Sequence, residues 1–314
     1  PDDPEQYDNA PVFFDNPAWV KPFEFFMNLV TPPMYREIDP TPLIAIFFPL
    51  FFGLIVGDIG YGLVILCFSL VVRLKFRDIP WICQLMSILM ISSIPTIVFG
   101  YIYGEFFGDL GEHMGWIHPL TIFGITWNRI EAIIPLLILT IGIGVFHVFL
   151  GLSLGILNAY RHHKTKHIIE KAGMLGLVTG ILLLIGSYAG HVPESLLFAV
   201  VILMLISIAG LLYGGGSRGV IEVMGTIGNI MSYARLMAIG LASVILALVA
   251  NRLSHELGIL ILGVIVAILL HTLNIFLAMF SPSIHSLRLH VVEFFSKFYE
   301  GGGIPYKPFG KERL

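Results

Sequence analysis

Eight separate apolar runs constrain this chain more than any other feature. Each can supply the roughly 20 helical residues that a hydrocarbon core about 30 Å thick demands at 1.5 Å of rise per residue. Residues 43–75 hold two of the runs, divided near Gly57, Asp58, Gly60 and Gly62, and the others occupy 81–103, 131–158, 167–189, 193–213, 219–251 and 257–290. Only 12% of the 314 residues are charged and 56% are hydrophobic, where a soluble domain carries about 25% charged residues. The expected fold is therefore all-α, a polytopic membrane protein with eight transmembrane helices. Irregular backbone belongs only at the breaks, because an unpaired peptide group in lipid costs several kcal/mol. No strand alternation is visible. A net charge of −3 argues against a nucleic-acid partner, and Cys67 and Cys83 lie in or beside apolar runs without metal-ligand spacing.

Basic residues orient the runs, since short cytoplasmic loops collect Lys and Arg. With the N-terminus inside, the inner segments hold Lys21, Arg36, Arg73, Lys75, Arg77, Arg161, Lys164, Lys166, Lys171, Arg218, Lys297, Lys307, Lys311 and Arg313, which is 14 of the 18. The outer segments hold only Arg129 and Arg252. The loop 104–131 is instead acidic, with Glu105, Asp109, Glu112 and Glu131. Both ends are thus expected in the cytoplasm, of a prokaryotic plasma membrane given the compact loops. Residues 1–41, rich in Pro and aromatics, read as an interfacial lead-in; 42–300 form the membrane domain and 301–314 a cytoplasmic tail. The opening PDDPEQYDNAP has neither an initiator Met nor the basic and apolar regions of a signal peptide, so a longer or processed polypeptide is expected.

Arg235 and Arg288 lie inside the last two runs. A charge at mid-membrane costs about 2.5–3.5 kcal/mol on insertion scales, and such residues usually mark ion or substrate pathways. Both runs keep a helical pattern for roughly 50 Å, too long for an upright helix. Steep tilt is expected, with a possible bend at Pro282. On the eighth run His271, Asn274, Ser281, His285 and Arg288, with Ala278 in the gap, recur at steps of 3 and 4 and share one face. The seventh contributes Glu222, Asn229, Ser232 and Arg235. At about 100° per residue, Glu222 and Asn229 project about 120–140° away from the arginine, so the carboxylate should line an aqueous approach rather than pair with it. Neither arginine has an evident acidic neighbour. Taken singly, a His or Asn here serves equally well as interhelical glue.

YREIDPTP, GDIGYG, SYARLMAIGLA and SLRLHVVEFFSKFYEGGG together resemble the membrane half of the a-subunit, or subunit I, of vacuolar and archaeal-type rotary ATPases. The resemblance runs over essentially the whole chain. It implies eight helices, the last two long and tilted around a ring of proteolipid c-subunits. It also implies a cytoplasmic N-terminal domain on a peripheral stalk, a central stalk, a soluble ATPase head and surrounding lipid as partners. Arg235 matches the family's essential arginine and Arg288 its second one. His285 matches a polar position one turn earlier, and Glu222 an acidic residue of the cytoplasmic half-channel. Some members carry Glu near Ala278; this chain does not, which leaves the outer route to His271, Asn274 and Ser281. The implied function is a stator that supplies two half-channels and an arginine gate for H⁺ or Na⁺, with no catalytic site and no cofactor of its own.

Three other features carry less. Gly214, Gly215 and Gly216 lack the order of a phosphate loop and read as a turn. His162, His163 and His167 sit among lysines whose charge opposes a metal. Asp58 reads as a helix cap. A free-standing secondary transporter is the alternative, but such folds usually show two related halves, whereas the charges here cluster in the last two runs.

Overall fold

The computed structural model describes residues 10–35, 37–256 and 258–306. Arg36, Leu257, Lys307, Lys311 and Arg313 lie outside them, as does the side chain of Arg218. The described residues are predominantly helical. Its main helices are α1 (Thr41–Val56), α2 (Ile59–Lys75), α3 (Pro80–Tyr103), α4 (Ile133–Arg161), α5 (Thr165–Tyr188), α6 (Leu197–Gly215), α7 (Ser217–Met231), α8 (Ala234–Glu256) and α9 (Leu260–Arg288). Among the described residues six helices are long and apolar enough to cross a membrane: α3 to α6, the α7–α8 pair taken together over Ile221–Glu256, and α9 with its extension over Ile261–Lys297. The chain is therefore a multi-pass integral membrane protein. The first two helices, of 16 and 17 residues, span only about 24–26 Å at 1.5 Å per residue. The expectation of no strands needs a small correction: Pro11–Val12 pairs in parallel with Ile304–Pro305, and Thr121–Ile122 forms a hairpin with Ile125–Thr126.

The break between the first two runs falls where the glycines and the aspartate place it. Gly57 closes α1 with φ +41°, a left-handed conformation that costs glycine little. Asp58 then runs extended and its carboxylate accepts the backbone N–H of Tyr61 at 3.0 Å, capping α2 as expected. The same carboxylate accepts from Phe107 and Gly108, at 3.0 and 2.7 Å, and so anchors the acidic loop between α3 and α4. α3 packs along both α1 and α2. Its Gly100 leaves so little room that an added Cβ would stand 2.4 Å from the backbone nitrogen of Ile59.

Arg129 completes this end of the bundle. Its guanidinium pairs with Glu105 and donates to the carbonyls of Ile55 (2.8 Å), Val56 (3.0 Å) and Gly57 (3.1 Å). A helix's last carbonyls have no intrahelical donors and carry the negative end of its dipole, so a buried cation there serves both needs.

At the opposite, basic end, the lead-in packs Val20, Phe23, Phe26 and Met27 against Phe48, Phe294, Phe295 and Phe298. Glu37 accepts the backbone N–H groups of Glu300 (2.8 Å) and Gly301 (3.3 Å). The segments before the first helix and after the last are thus one packed unit.

Candidate functional site

The seventh run is not one helix. α7 ends at Met231, Ser232 and Tyr233 form a turn, and α8 begins at Ala234. The bonds Tyr233 N–H to Ile230 O, Arg235 N–H to Ser232 O and Leu236 N–H to Tyr233 O all step by three residues, which tightens the backbone just where the arginine leaves it. Ser232 Oγ donates to Gly228 O at 2.9 Å, a back-bond of the kind that bends helices. Tyr233 is drawn inward: its hydroxyl meets Nδ1 of the buried His147 on α4 at 2.5 Å, and its ring lies where a Cβ on Gly144 would be 2.7 Å away.

The eighth run also departs from a plain helix. α9 passes through Pro282 and ends at Arg288; Leu289–Phe294 is then π-helical and Phe295–Lys297 a 3₁₀ turn. In an α-helix, residues 288 and 293 would point about 140° apart, whereas i→i+5 bonding brings residues five apart closer to register. The expectation that neither arginine has an acidic neighbour is corrected for Arg235. Glu293 Oε1 stands 3.8 Å from Arg235 Nη1, with the Glu293 side chain 2% exposed and that of Arg235 23%. The contact is too long for a hydrogen bond. Among the described residues Arg235 Nη1 and Glu293 Oε2 are buried without hydrogen-bond partners, as is Nδ1 of His285. Arg288 itself is exposed. At about 4 Å and an effective dielectric constant near 20, such a pair gains about 4 kcal/mol, against a desolvation cost of several kcal/mol per ion. With no hydrogen bond between them, the two groups lie close without forming a tight salt bridge.

Toward the basic end lies a second set of polar groups. Glu222 pairs with Lys171 of α5, at 2.6 Å. Lys297, buried at the end of the π/3₁₀ extension, donates to Thr226 Oγ1 at 2.8 Å. With its amide turned to satisfy both atoms, Asn229 accepts from the same ammonium at 3.2 Å and donates to Gly225 O at 3.1 Å. A cleft lined by Glu37, Asn158, Lys171, Glu222, Lys297 and Tyr299 opens beside them.

Toward the acidic end the expected residues fall into a connected network. Asn274, buried, donates to Tyr61 Oη at 2.8 Å and to Ser243 O at 2.9 Å. Tyr61 Oη meets His271 Nδ1 at 2.9 Å, and His271 Nε2 meets Asn251 Oδ1 at 2.9 Å. Asn251 Nδ2 donates in turn to Asp109 Oδ1 at 2.6 Å and Phe107 O at 2.9 Å, in the acidic loop. Ser281 is half-buried on α9. The two arginines, His285 and Glu293 thus lie between a basic-end set and an acidic-end set. Sequence reasoning missed Glu293, Lys171, Lys297, Tyr61 and Asn251. Glu293 lies three residues beyond the 257–290 run, between Val and Phe residues, where an ionisable side chain is itself a signal.

Residues 220–310, which contain most of these groups, match the V-type ATPase 116kDa subunit family. The A-type ATP synthase subunit I of Archaeoglobus fulgidus is 35% identical over 96% of this chain and 53% of its own length. That of Methanocaldococcus jannaschii is 32% identical over the whole chain and 50% of its own length. These matches support membership of this family. A relative named V-type ATP synthase subunit I, from Borreliella burgdorferi, is 26% identical over 98% of the chain. The chain spans about half the length of the curated relatives it matches. Within this subunit I fold Arg235 stands at the α7–α8 break and Arg288 at the α-to-π transition.

Proposed function

We propose that the chain is the membrane half of a rotary-ATPase stator. In this reading it crosses the bilayer eight times with both ends cytoplasmic, and α8 and α9 are steeply tilted against a ring of c-subunits. Glu222, Asn229 and Ser232 line the inner half-channel; His271, Asn274 and Ser281 line the outer one; Arg235, with Arg288 and His285 beside it, separates the two. A rotor carboxylate in lipid stays protonated or cation-bound because desolvation disfavours its charge, and a neighbouring fixed cation reverses that order. Arginine suits this role because it remains protonated in a buried site where lysine could lose its charge. The observation that carries the reading is the unsaturated guanidinium of Arg235, whose one acidic neighbour among the described residues is 3.8 Å away. Glu293 then acts as a resting counter-ion that an arriving rotor carboxylate displaces. The cytoplasmic N-terminal domain, peripheral stalk, central stalk and soluble ATPase head are the remaining partners.

Purifying the full-length protein in mild detergent and identifying what accompanies it tests this. A stator brings a proteolipid ring and a soluble ATPase. A chain that purifies alone and moves ions when reconstituted alone is a secondary transporter, and the proposal fails.

A further inference from the structure

We infer that His147 on α4 is a positioning residue for the arginine gate: it sets where Arg235 and Glu293 stand relative to each other, through Tyr233 on one side and Phe294 on the other. This rests on the stator reading and deepens it, since it gives a part in ion exchange to a fully buried side chain on a third helix.

One face of α4 receives both gate segments. Gly144, His147 and Gly151 follow at steps of three and four, so they share that face. A Cβ at Gly144 would stand 2.7 Å from the Tyr233 ring, and one at Gly151 would stand 3.1 Å from the Phe294 ring. The two glycines thus admit one aromatic ring from the α7–α8 break and one from the π-helical segment. His147 lies between them. Its Nδ1 meets the Tyr233 hydroxyl at 2.5 Å, and its ring stacks on that of Phe294 with centroids 3.9 Å apart and planes inclined by 12°. Arg235 is two residues beyond Tyr233, and Glu293 immediately precedes Phe294. Phe51 of α1 meets the rings of His147 and Tyr233 edge-on, at 5.3 and 5.8 Å, and closes the cluster from another side.

Nothing competes for these groups. His147, Tyr233 and Phe294 are fully buried, and among the described residues the Tyr233 hydroxyl has no hydrogen-bond partner but His147. Nε2 of His147 has none at all. The imidazole is therefore held by one polar bond and one close stack, and each ties it to a different gate segment.

The polar bond acts on the backbone. A turn of three residues advances the chain by about 120° per residue, against about 100° in an α-helix. The hydrogen bonds around Tyr233 and Arg235 step by three, so over the steps from Ser232 to Arg235 the guanidinium is carried roughly 60° around the axis from its α-helical place. Without the anchored hydroxyl this stretch relaxes toward the better-bonded α-helix. Arg235 then turns away from its position beside Glu293 and the rotor.

The test uses the assembled rotary complex in proteoliposomes and reads ATP-driven ion uptake at a series of lumenal ion concentrations, as pH for protons or as Na⁺. Tyr233→Phe keeps the ring and removes only the hydroxyl; His147→Phe keeps a ring against Phe294 and removes the bond. A displaced guanidinium leaves the rotor carboxylate holding its ion more tightly, so uptake in either variant should be half-stopped at about tenfold lower lumenal ion concentration. The double variant shifts it no further, because both changes remove the same bond. A role confined to stability lowers the number of working complexes and leaves that concentration where it was. An unshifted concentration in Tyr233→Phe, or shifts that add in the double variant, would overturn the inference; Tyr233→Phe alone decides it if His147→Phe does not assemble. Arg235→Lys run alongside separates the two claims: if it transports as the wild type does, the stator reading has failed, and if it is dead while Tyr233→Phe is unshifted, only the positioning role has.

Discussion

At the scale of single residues, charge placement in this chain follows the cost of burying an ion. Arg129 and Glu105 are 5% and 10% exposed and satisfy each other as well as the end of α1. Removing one member of such a pair strands the other, a loss of about 3–5 kcal/mol. Glu105→Gln is therefore expected to lower the melting temperature of the purified protein markedly, without touching the arginines of the last two helices. Arg235 and Glu293 are the contrasting case, close but not hydrogen-bonded. Glu293→Gln leaves the guanidinium no resting counter-ion, so an arriving rotor carboxylate is held longer. Coupled transport in proteoliposomes should slow about tenfold, the equivalent of 1.36 kcal/mol, with assembly intact. An unchanged rate would show that Glu293 plays no part in exchange.

Among the elements, glycine contacts report how tightly the helices fit. A Cβ at Gly100 would press on the backbone of Asp58 and Ile59, which cannot swing aside, whereas one at Gly225 on α7 meets nothing within 4 Å. Gly100→Ala should destabilise the purified protein by about 1–3 kcal/mol. Gly225→Ala should be neutral or gain a few tenths from helix propensity; thermal unfolding of the two variants compares them directly. Helices of this kind were largely legible in the sequence. Apolar run lengths located them, the glycines marked the Gly57–Asp58 break, and the capping role of Asp58 followed from its position. Two features were not legible. SYAR holds no Pro or Gly, so the 3.6-residue pattern passes through Ser232 and Tyr233 without a sign of the turn that Tyr233's bond to His147 helps hold. The π register after Arg288 equally hides the approach of Glu293, because α-helical counting sends it to the far side. Long-range ligands such as Arg129 on the α1 carbonyls need the folded chain to be seen at all.

For the whole molecule, Lys and Arg gather at one end, and that bias is what orients a membrane protein. In a background with Cys67 and Cys83 replaced by serine, cysteine at Phe123 or Tyr188, both almost fully exposed, should react with an impermeant maleimide added outside intact cells. Cysteine at His163 should react only after permeabilisation; the reverse pattern would invert the topology. The central claim, that a fixed positive charge at the α7–α8 break gates the exchange of rotor ions, is tested most directly by Arg235→Lys in the full complex. Proton or sodium flux and ATP hydrolysis are measured together in proteoliposomes. The account predicts an assembled complex whose ion transport is abolished, because a buried lysine can give up its proton to the very carboxylate it should hold ionised. Transport at the wild-type rate, coupled to hydrolysis, would contradict it.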